Sequence, residues 1–133
     1  MSLLLDTSVV SELRHGHRAN PRLLAWFHGV ADRDIHLSVL VLGELHRGGQ
    51  ALRAPQAAAL DLWLAQLAAA HADRILPVDA PVAEQWGRLM HLRAGDVVDT
   101  LMAATAMVRG LVLVTRNTKR VAWTGVTCLD PSA

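Results

Sequence analysis

The chain has 133 residues, a formal net charge of +1 and 52% hydrophobic residues. This length suits a single domain over residues 1–133, and the apolar content is sufficient for a core, which excludes a largely disordered chain. The small net charge neither indicates nor excludes binding to nucleic acid, because the local distribution of charge decides contacts with phosphates.

Two features of the sequence bear on its location. The lone Cys128 cannot form an intrachain disulfide, which is typical of a reducing compartment. No signal peptide is visible, since Asp6 interrupts the first apolar run, and no apolar stretch approaches the roughly 18 residues of a membrane span. We therefore expect a soluble, cytoplasmic protein without membrane contacts.

The first half of the chain predicts two strands and three helices. The first strand covers 2–5, and a helix capped by Thr7 or Ser8 follows it and runs to about 14. After a polar loop over 15–21, Asn20-Pro21 opens the second helix. The second strand covers 35–37 and precedes a helix over 39–52 that Ser38 caps. The first strand is called from its short, continuous apolar run, which is too short for a helix.

The second half continues the alternation of helix and strand. A helix over 55–71 is followed by a short strand ending at Asp79 and by a helix from there to about 92. The next helix covers 96–110 and is capped by Asp96. A strand over 111–115, a loop over 116–120 and a last strand over 126–129 complete the prediction. Such alternation predicts an α/β fold with a small, mostly parallel central sheet.

Three acidic residues stand where this pattern does not need them. Asp6 ends the first strand, Glu44 interrupts an apolar helix, and Asp99 lies in the first turn of the helix before the strand over 111–115. Open parallel sheets bind ligands beyond the carboxyl ends of their strands, so these carboxylates could meet at one edge. Because a divalent cation keeps clustered carboxylates ionised, and oxygen ligands favour Mg²⁺ or Mn²⁺, they suggest a metal site. The alternative is that they are solvated surface groups, with Asp99 favoured by its helix N-terminus.

Several segments in order along the chain resemble the PIN-domain ribonucleases, and within them the VapC-type toxins of toxin–antitoxin pairs. The matching segments are LLLDTSVVSEL (3–13), LSVLVLGELHRG (37–48), RILPVDAPVAEQWGRL (74–89), DTLMAATAMVRGLVLVTRNTK (99–119) and VTCLDP (126–131). The resemblance implies a three-layer α/β/α fold and a Mg²⁺- or Mn²⁺-dependent endoribonuclease. It also implies structured RNA, such as transfer or ribosomal RNA, as substrate and a cognate antitoxin as partner.

The resemblance also implies roles for individual residues. Asp6, Glu44 and Asp99 match the acidic positions that hold metal, and water activated there would attack a phosphodiester. A fourth position falls at Asn117, where relatives often carry Asp, which leaves open whether one or two metals bind. Small hydroxyl residues that match supporting positions around the acids are Thr7, Ser8 and Thr115. This chain also has Arg120-Val121 where relatives often carry an acid followed by Phe.

Further polar residues have both a structural and a functional reading. Asp96 is expected to cap its helix, with metal ligation as the alternative. Two basic loops could grip RNA phosphates or be ordinary solvated surface, and their residues are Arg14, Arg18, Arg116, Lys119 and Arg120. The seven histidines do not form a zinc motif, since no HExxH is present.

The partner and the activity each leave alternatives. The helix over 57–70 is apolar on more than one face, so we expect it to form an interface with another chain. The candidates are a second copy, which would give a homodimer, and an antitoxin. An aspartyl-phosphate phosphatase would need an acid at Ser8, and a phospho-receiver has its acids in another order. A catalytically weakened RNA-binding PIN module and a PIN-like DNA nuclease remain alternatives, because nothing identifies a reader of the 2′-hydroxyl.

Overall fold

Five parallel strands form one sheet in the computed structural model of the chain, which describes residues 1–133. The strands are β1 (Leu3–Leu5), β2 (Ile35–Ser38), β3 (Ile75–Leu76), β4 (Val112–Val114) and β5 (Cys128–Leu129). Their order across the sheet is β3-β2-β1-β4-β5. The chain builds outward from β1 in one direction and then crosses to its other side, so the strand order reverses between β1 and β4.

Seven α-helices connect and cover the strands in a three-layer α/β/α arrangement. They are α1 (Thr7–Leu13), α2 (Pro21–His28), α3 (Val39–Gly49), α4 (Ala54–Ala70), α5 (Ala80–Leu92), α6 (Val97–Arg109) and α7 (Thr118–Val121). The predicted α/β class with a parallel sheet is confirmed. No helix combines the length and the apolar character needed to cross a bilayer.

The register of the central strands sets the position of the polar residues that follow them. Leu5 pairs with Leu37 on one side and with Val114 on the other. The next residues along these strands are Asp6, Ser38 and Thr115, so all three leave the sheet at the same edge. Ligands bind open α/β sheets at this edge, where the strand order reverses.

The main core lies on both faces of the sheet around β1, whose three leucines are at most 2% exposed. A second, smaller cluster of Val82, Leu89 and Ala104 joins α5 to α6. Helix α6 is therefore buried on two sides, since Met102 and Ala103 belong to the main core. Small residues along α6 allow this close packing on both sides.

The tryptophans pack at the margins of these clusters. Trp26 and Trp63 lie against the main core, and Trp86 and Trp123 lie against the smaller one. All four are partly buried. In this position the four tryptophans act as packing residues.

The structure corrects two local predictions. The cap of α1 is Asp6, which accepts a hydrogen bond from the Val9 amide, and not Thr7 or Ser8. The segment after β4 contains the short helix α7 where a loop was predicted. Four residues are too few to show a helical period in a sequence, which is why α7 has no visible signal.

Element boundaries also differ from those predicted. Strand β3 ends at Leu76 rather than at Asp79, which instead caps α5 by accepting from the Val82 amide. Helix α3 ends at Gly49 rather than at 52. The Gly48-Gly49 pair accounts for the early end, because glycine costs about 1 kcal/mol relative to alanine within a helix.

Candidate active site

A polar cavity of about 300 Å³ opens at the carboxyl edge of the sheet, beside the point where the strand order reverses. Only one of the nine residues that line it is hydrophobic. The lining residues are Asp6, Thr7, Ser8, Ser11, Glu44, Asp99, Met102, Asn117 and Arg120. The structure thus brings the three acids and Asn117 of the sequence analysis to one place, from β1, α3, α6 and the segment after β4.

Asp6 is held by two hydrogen bonds at the junction of β1 and α1. Its Oδ1 accepts from the Val9 amide at 3.1 Å and from the Ser8 hydroxyl at 2.6 Å. The Ser8 oxygen in turn accepts from the backbone amide of Arg116 at 3.2 Å, beyond the end of β4. Ser8 therefore connects Asp6 to the neighbouring strand and orients its carboxylate.

Glu44 is positioned from α3 by a contact with α1. The hydroxyl of Thr7 donates a hydrogen bond to Oε1 of Glu44. This bond joins residues 37 positions apart in the chain. It fixes one carboxylate oxygen of Glu44 while the side chain stays in the cavity wall. Thr7 thus supports Glu44 as Ser8 supports Asp6.

Asp99 is the acid with the most perturbed environment. Burial raises the pKa of Asp99, the charge of Asp96 raises it further, Arg120 lowers it, and Asp6 and Glu44 raise it again. Its Oδ2 is buried and accepts no hydrogen bond, and the nearest cation is Nη1 of Arg120 at 3.6 Å. The charge on Asp99 is therefore incompletely compensated by the protein itself.

Asp96 occupies the cap position that the sequence predicts. Its side chain accepts a hydrogen bond from the Asp99 amide at 2.9 Å, at the start of α6. The residue is exposed and does not line the cavity. The capping interpretation is confirmed, and the structure gives Asp96 an electrostatic influence on Asp99 rather than a place in the cavity wall.

Asn117 enters the cavity from the segment that follows β4. Its backbone N–H donates to the hydroxyl of Thr115 at 3.0 Å, and Thr115 is 2% exposed. The Thr115 amide donates to Leu129 of β5 at 3.0 Å, which fixes the start of this segment. Thr115 thus shapes the turn that carries Asn117, although it does not itself line the cavity.

The basic residues of the sequence analysis fall into different environments. Arg120 lines the cavity, whereas Arg116 pairs with Glu12 at 3.0 Å. Arg14 borders a neighbouring cavity. Arg18 and Lys119 are exposed and form no ion pair.

Three residues near the cavity were missed by the sequence reasoning. Ser11 and Met102 line it, and Glu12 joins Arg116 to the Asn20 amide, from which it accepts at 2.8 Å. Ser11 and Glu12 lie three and four positions after Ser8 on α1, so they share a helix face with it. This spacing could have identified Ser11 and Glu12 from the sequence. Nothing in the sequence distinguishes Met102 from an ordinary core residue.

The donor set of the cavity fits a divalent cation of the Mg²⁺ type. All candidate ligands are oxygens, as Mg²⁺ and Mn²⁺ prefer. The buried, unpartnered Oδ2 of Asp99 and the mutual repulsion that raises its pKa are both relieved by a bound cation. In this structure the three carboxylates are not close enough together to bind one metal ion at the same time. Thr7 donates a hydrogen bond to Glu44, and Arg120 lies next to Asp99.

Comparison with known proteins places this arrangement in a family. The PIN-domain model matches residues 3–123. The toxin FitB of Neisseria gonorrhoeae is 34% identical over 124 residues, covering 87% of this chain and 88% of FitB. The VapC ribonuclease Y4jK of Sinorhizobium fredii is 29% identical over 138 residues, covering 97% of this chain and 96% of the relative.

Solved structures show the same fold. FitAcB from Neisseria gonorrhoeae superposes with a TM-score of 0.86 at 30% identity, covering 97% of both chains. VapBC-5 from Mycobacterium tuberculosis, a member of the VapBC family of toxin–antitoxin systems, gives a TM-score of 0.63 at 25% identity, covering 96% of this chain and 95% of that one. With its five-stranded parallel sheet and its acids at the switch point, this chain belongs to the PIN-domain family and, within it, to the VapC-type toxins.

Proposed function

We propose that this chain is a Mg²⁺- or Mn²⁺-dependent endoribonuclease toxin that a cognate antitoxin neutralises. The observation that carries the proposal is the convergence of Asp6, Glu44 and Asp99 in one polar cavity, with Asp99 partly desolvated and incompletely paired. The relatives support it, since one is described as a VapC ribonuclease and another as a toxin.

The residues of the cavity divide into ligands and supports. Asp6, Glu44 and Asp99 would hold the cation, with Asn117 as a neutral oxygen donor or as a group that orients water. A divalent cation in such a site activates water for attack on a phosphodiester and stabilises charge on the phosphoryl oxygens. Ser8 and Thr7 hold Asp6 and Glu44 in place before any ligand arrives. Preorganised supports of this kind fix the ligand oxygens and tune their basicity.

Arg120 supplies the one cationic side chain of the cavity wall. Its side chain is 67% exposed, so it can move from Asp99 towards a phosphate of the substrate. Its backbone is held, because the Arg120 carbonyl accepts from the Trp123 indole at 3.1 Å. We infer that Arg120 compensates Asp99 in the free protein and contacts the scissile phosphate in the complex.

The substrate class proposed is structured RNA, such as transfer or ribosomal RNA. Its support is the relative described as a ribonuclease together with the polar, cation-bearing cavity. The antitoxin as partner is supported by the VapBC-5 neighbour, which is part of a toxin–antitoxin system. An antitoxin would neutralise the chain most directly by covering this cavity.

A cleavage assay on total cellular RNA, without antitoxin, tests the proposal. Wild-type protein is compared in Mg²⁺, Mn²⁺ and EDTA, with Asp99→Asn as the variant that keeps shape and removes one ligand charge. We expect discrete fragments that need the metal and are absent with the variant. Intact RNA in every lane, with metal bound in calorimetry, would reject RNA as the substrate, and single- and double-stranded DNA would be tried next.

A second candidate is an RNA-binding PIN module with a weakened catalytic site. The observation in its favour is that Asn117 stands at the fourth position and Arg120 faces Asp99, so the cavity has less negative charge than four acids would give. RNA binding without metal binding and without cleavage would establish this candidate. Replacing Asn117 with Asp would then be expected to strengthen metal binding, which calorimetry can measure.

A further inference from the structure

The catalytic cavity does not end at Glu44. A second cavity of about 340 Å³ is lined by Glu44, Arg47, Gly48 and Ala51. A third, of about 180 Å³, has Glu44 and Gly48 in its wall together with Arg14 and His15. Glu44 lines all three cavities and Gly48 lines the second and the third, so the cavities adjoin one another along the carboxyl-terminal half of α3. We call their outer part, lined by Arg14, His15, Arg47, Gly48 and Ala51, the α3 groove.

Gly48 leaves space in this groove, although the packing of the fold does not require a glycine at this position. A Cβ added at Gly48 would meet nothing within 4 Å. Its neighbour Gly49 is different, since a Cβ there would lie 2.5 Å from Cδ2 of Leu60. Gly49 thus permits the approach of α4 to α3, whereas Gly48 faces open space. A side chain at Gly48 would fill the groove rather than disturb the fold.

The charges of the groove favour an anion. Arg14, His15 and Arg47 form no ion pair and no side-chain hydrogen bond, and the acid that lines the groove is Glu44 at its catalytic end. Arg47 also has a local reason for its place, because the last turn of a helix favours a cation. Arg14, which ends α1, has the same local reason. The observation that favours an anion is that these two arginines, from different helices, line adjoining cavities and form no ion pair.

We propose that the α3 groove holds the sugar–phosphate backbone of the RNA strand on one side of the scissile bond, with Arg47 and Arg14 contacting phosphates. The proposal rests on the endoribonuclease function proposed above. A strand whose scissile phosphate lies among the three acids must leave the cavity, and the groove adjoins the cavity at Glu44. Paired cations along an open channel are the arrangement with which proteins follow single strands.

The test measures RNA affinity in a form that cannot cleave. The reference is the full chain with Asp99→Asn, and the probe is a labelled mixed-sequence RNA of about 12 nucleotides, within the range of single-strand footprints. Arg47→Ala and Gly48→Gln are added to this reference. Their matched controls are Arg33→Ala, at the opposite edge of the sheet, and Gly87→Gln, an exposed glycine of α5 whose added Cβ would also meet nothing within 4 Å.

The two groove variants should differ in their response to salt. Arg47→Ala removes one phosphate contact, so the slope of log affinity against log salt concentration should fall by about 0.7, as for a single strand. Gly48→Gln should weaken binding at every salt concentration without changing the slope, because it obstructs the groove and removes no charge. The controls should match the reference. Circular dichroism and thermal unfolding would establish that each variant is folded.

Two results would overturn the proposal in distinguishable ways. Unchanged affinity in both groove variants, with wild-type protein still cleaving RNA, would reject the groove and keep the nuclease, leaving the groove to a protein partner. Absence of RNA binding by the reference together with absence of cleavage by the wild type would reject both. Loss of affinity in the groove variants but not in their controls would support the groove as the RNA path.

Discussion

Asp6 uses one carboxylate oxygen to cap a helix and leaves the other free of hydrogen bonds from the protein. Its Oδ1 accepts both the capping bond from the Val9 amide and the bond from the Ser8 hydroxyl, while Oδ2 accepts none from the protein. One oxygen therefore starts α1 and the other is available to a ligand. A strand end followed at once by a helix cap gives the acid a structural function at the sheet edge, because its side chain satisfies an amide that the start of the helix would otherwise leave unpaired.

Ser8 should matter for metal binding although it is not expected to touch the metal. Removing its hydroxyl with Ser8→Ala leaves Asp6 with the capping bond alone, so we expect a loss of about 10–100-fold in Mn²⁺ affinity or cleavage rate. Isothermal titration with Mn²⁺ and the RNA cleavage rate would measure it, with Ser2→Ala at the exposed start of the chain as control. Wild-type affinity in Ser8→Ala would show that Asp6 needs no orientation.

Asp99 should make the metal-free protein less stable as pH rises. Burial and the neighbouring acids raise the pKa of Asp99, so the folded state binds this proton more tightly than the unfolded chain does. Its contribution to stability is thus present below the unfolded pKa and is lost as pH rises through the folded pKa. In EDTA, the melting temperature of wild type relative to Asp99→Asn should fall as the pH rises from below the ordinary aspartate pKa of 3.8 through the raised pKa of Asp99 in the folded state.

This dependence has a direct check. Melting curves of the two proteins are compared at each pH in EDTA and then with Mg²⁺ at neutral pH. Added Mg²⁺ should raise the melting temperature of the wild type more than that of Asp99→Asn, because a ligand stabilises the state that binds it. A difference between the two proteins that stays constant across the pH range would contradict the assignment of the perturbed pKa to Asp99.

At the scale of elements, the start of α6 is fixed by a close contact with the segment after α7. A Cβ added at Gly95 would lie 2.7 Å from Cζ2 of Trp123 and 2.9 Å from Oγ1 of Thr100. The Trp123 ring also carries the Arg93 guanidinium 5.4 Å from its centroid. The turn before α6 therefore needs glycine for space, and this turn positions the first turn of α6, where Asp99 lies.

Gly95→Ala should destabilise the fold, whereas Gly87→Ala should not. The first substitution overpacks the contact with Trp123, for which about 1–3 kcal/mol is expected. The second places alanine at an open helix position and should stabilise by about 0.5–1 kcal/mol. Urea unfolding of both variants measures the two free energies. Equal effects in the two variants would mean that the turn at Gly95 relaxes without cost.

At the scale of the whole molecule, α4 leaves apolar surface without a partner in the single chain. Leu60 and Leu64 are buried, but Leu62 on the same helix is 62% exposed. From α4, Trp63 and Leu67 pack against the main core, whereas Leu62 does not. Exposed apolar side chains outside the core favour contact with another chain, either a second copy or an antitoxin.

We expect a homodimer in solution that uses this face. Light scattering at micromolar concentration should give twice the mass of the 14.4 kDa chain, and Leu62→Glu should give the single mass, because a charge at the interface would be desolvated. Ala65→Gln, on an exposed position one turn further along α4, serves as the milder control. Light scattering that gives the mass of one chain for the wild type would refute the dimer.

The sequence by itself determined most of the elements and singled out the acids on which the proposed chemistry depends. Continuous apolar runs such as Leu3–Leu5 identify buried parallel strands, and Ser38, Asp79 and Asp96 identify helix starts, because capping and periodicity are local properties. The acids that break these patterns, Asp6, Glu44 and Asp99, stand out for the same reason. Residues shared with the PIN domain identified the family, since they occur in order along nearly the whole chain.

Only the tertiary structure decided which groups face one another. The bond from Thr7 to Glu44, the pairing of Arg116 with Glu12 and the approach of Arg120 to Asp99 join residues that are far apart in sequence or on different elements. The position of the polar cavity beside the α3 groove likewise depends on how α1 and α3 pack. Such contacts follow from side-chain directions and sheet order, which only the folded chain fixes, and they decide how the acids are supported, compensated and reached.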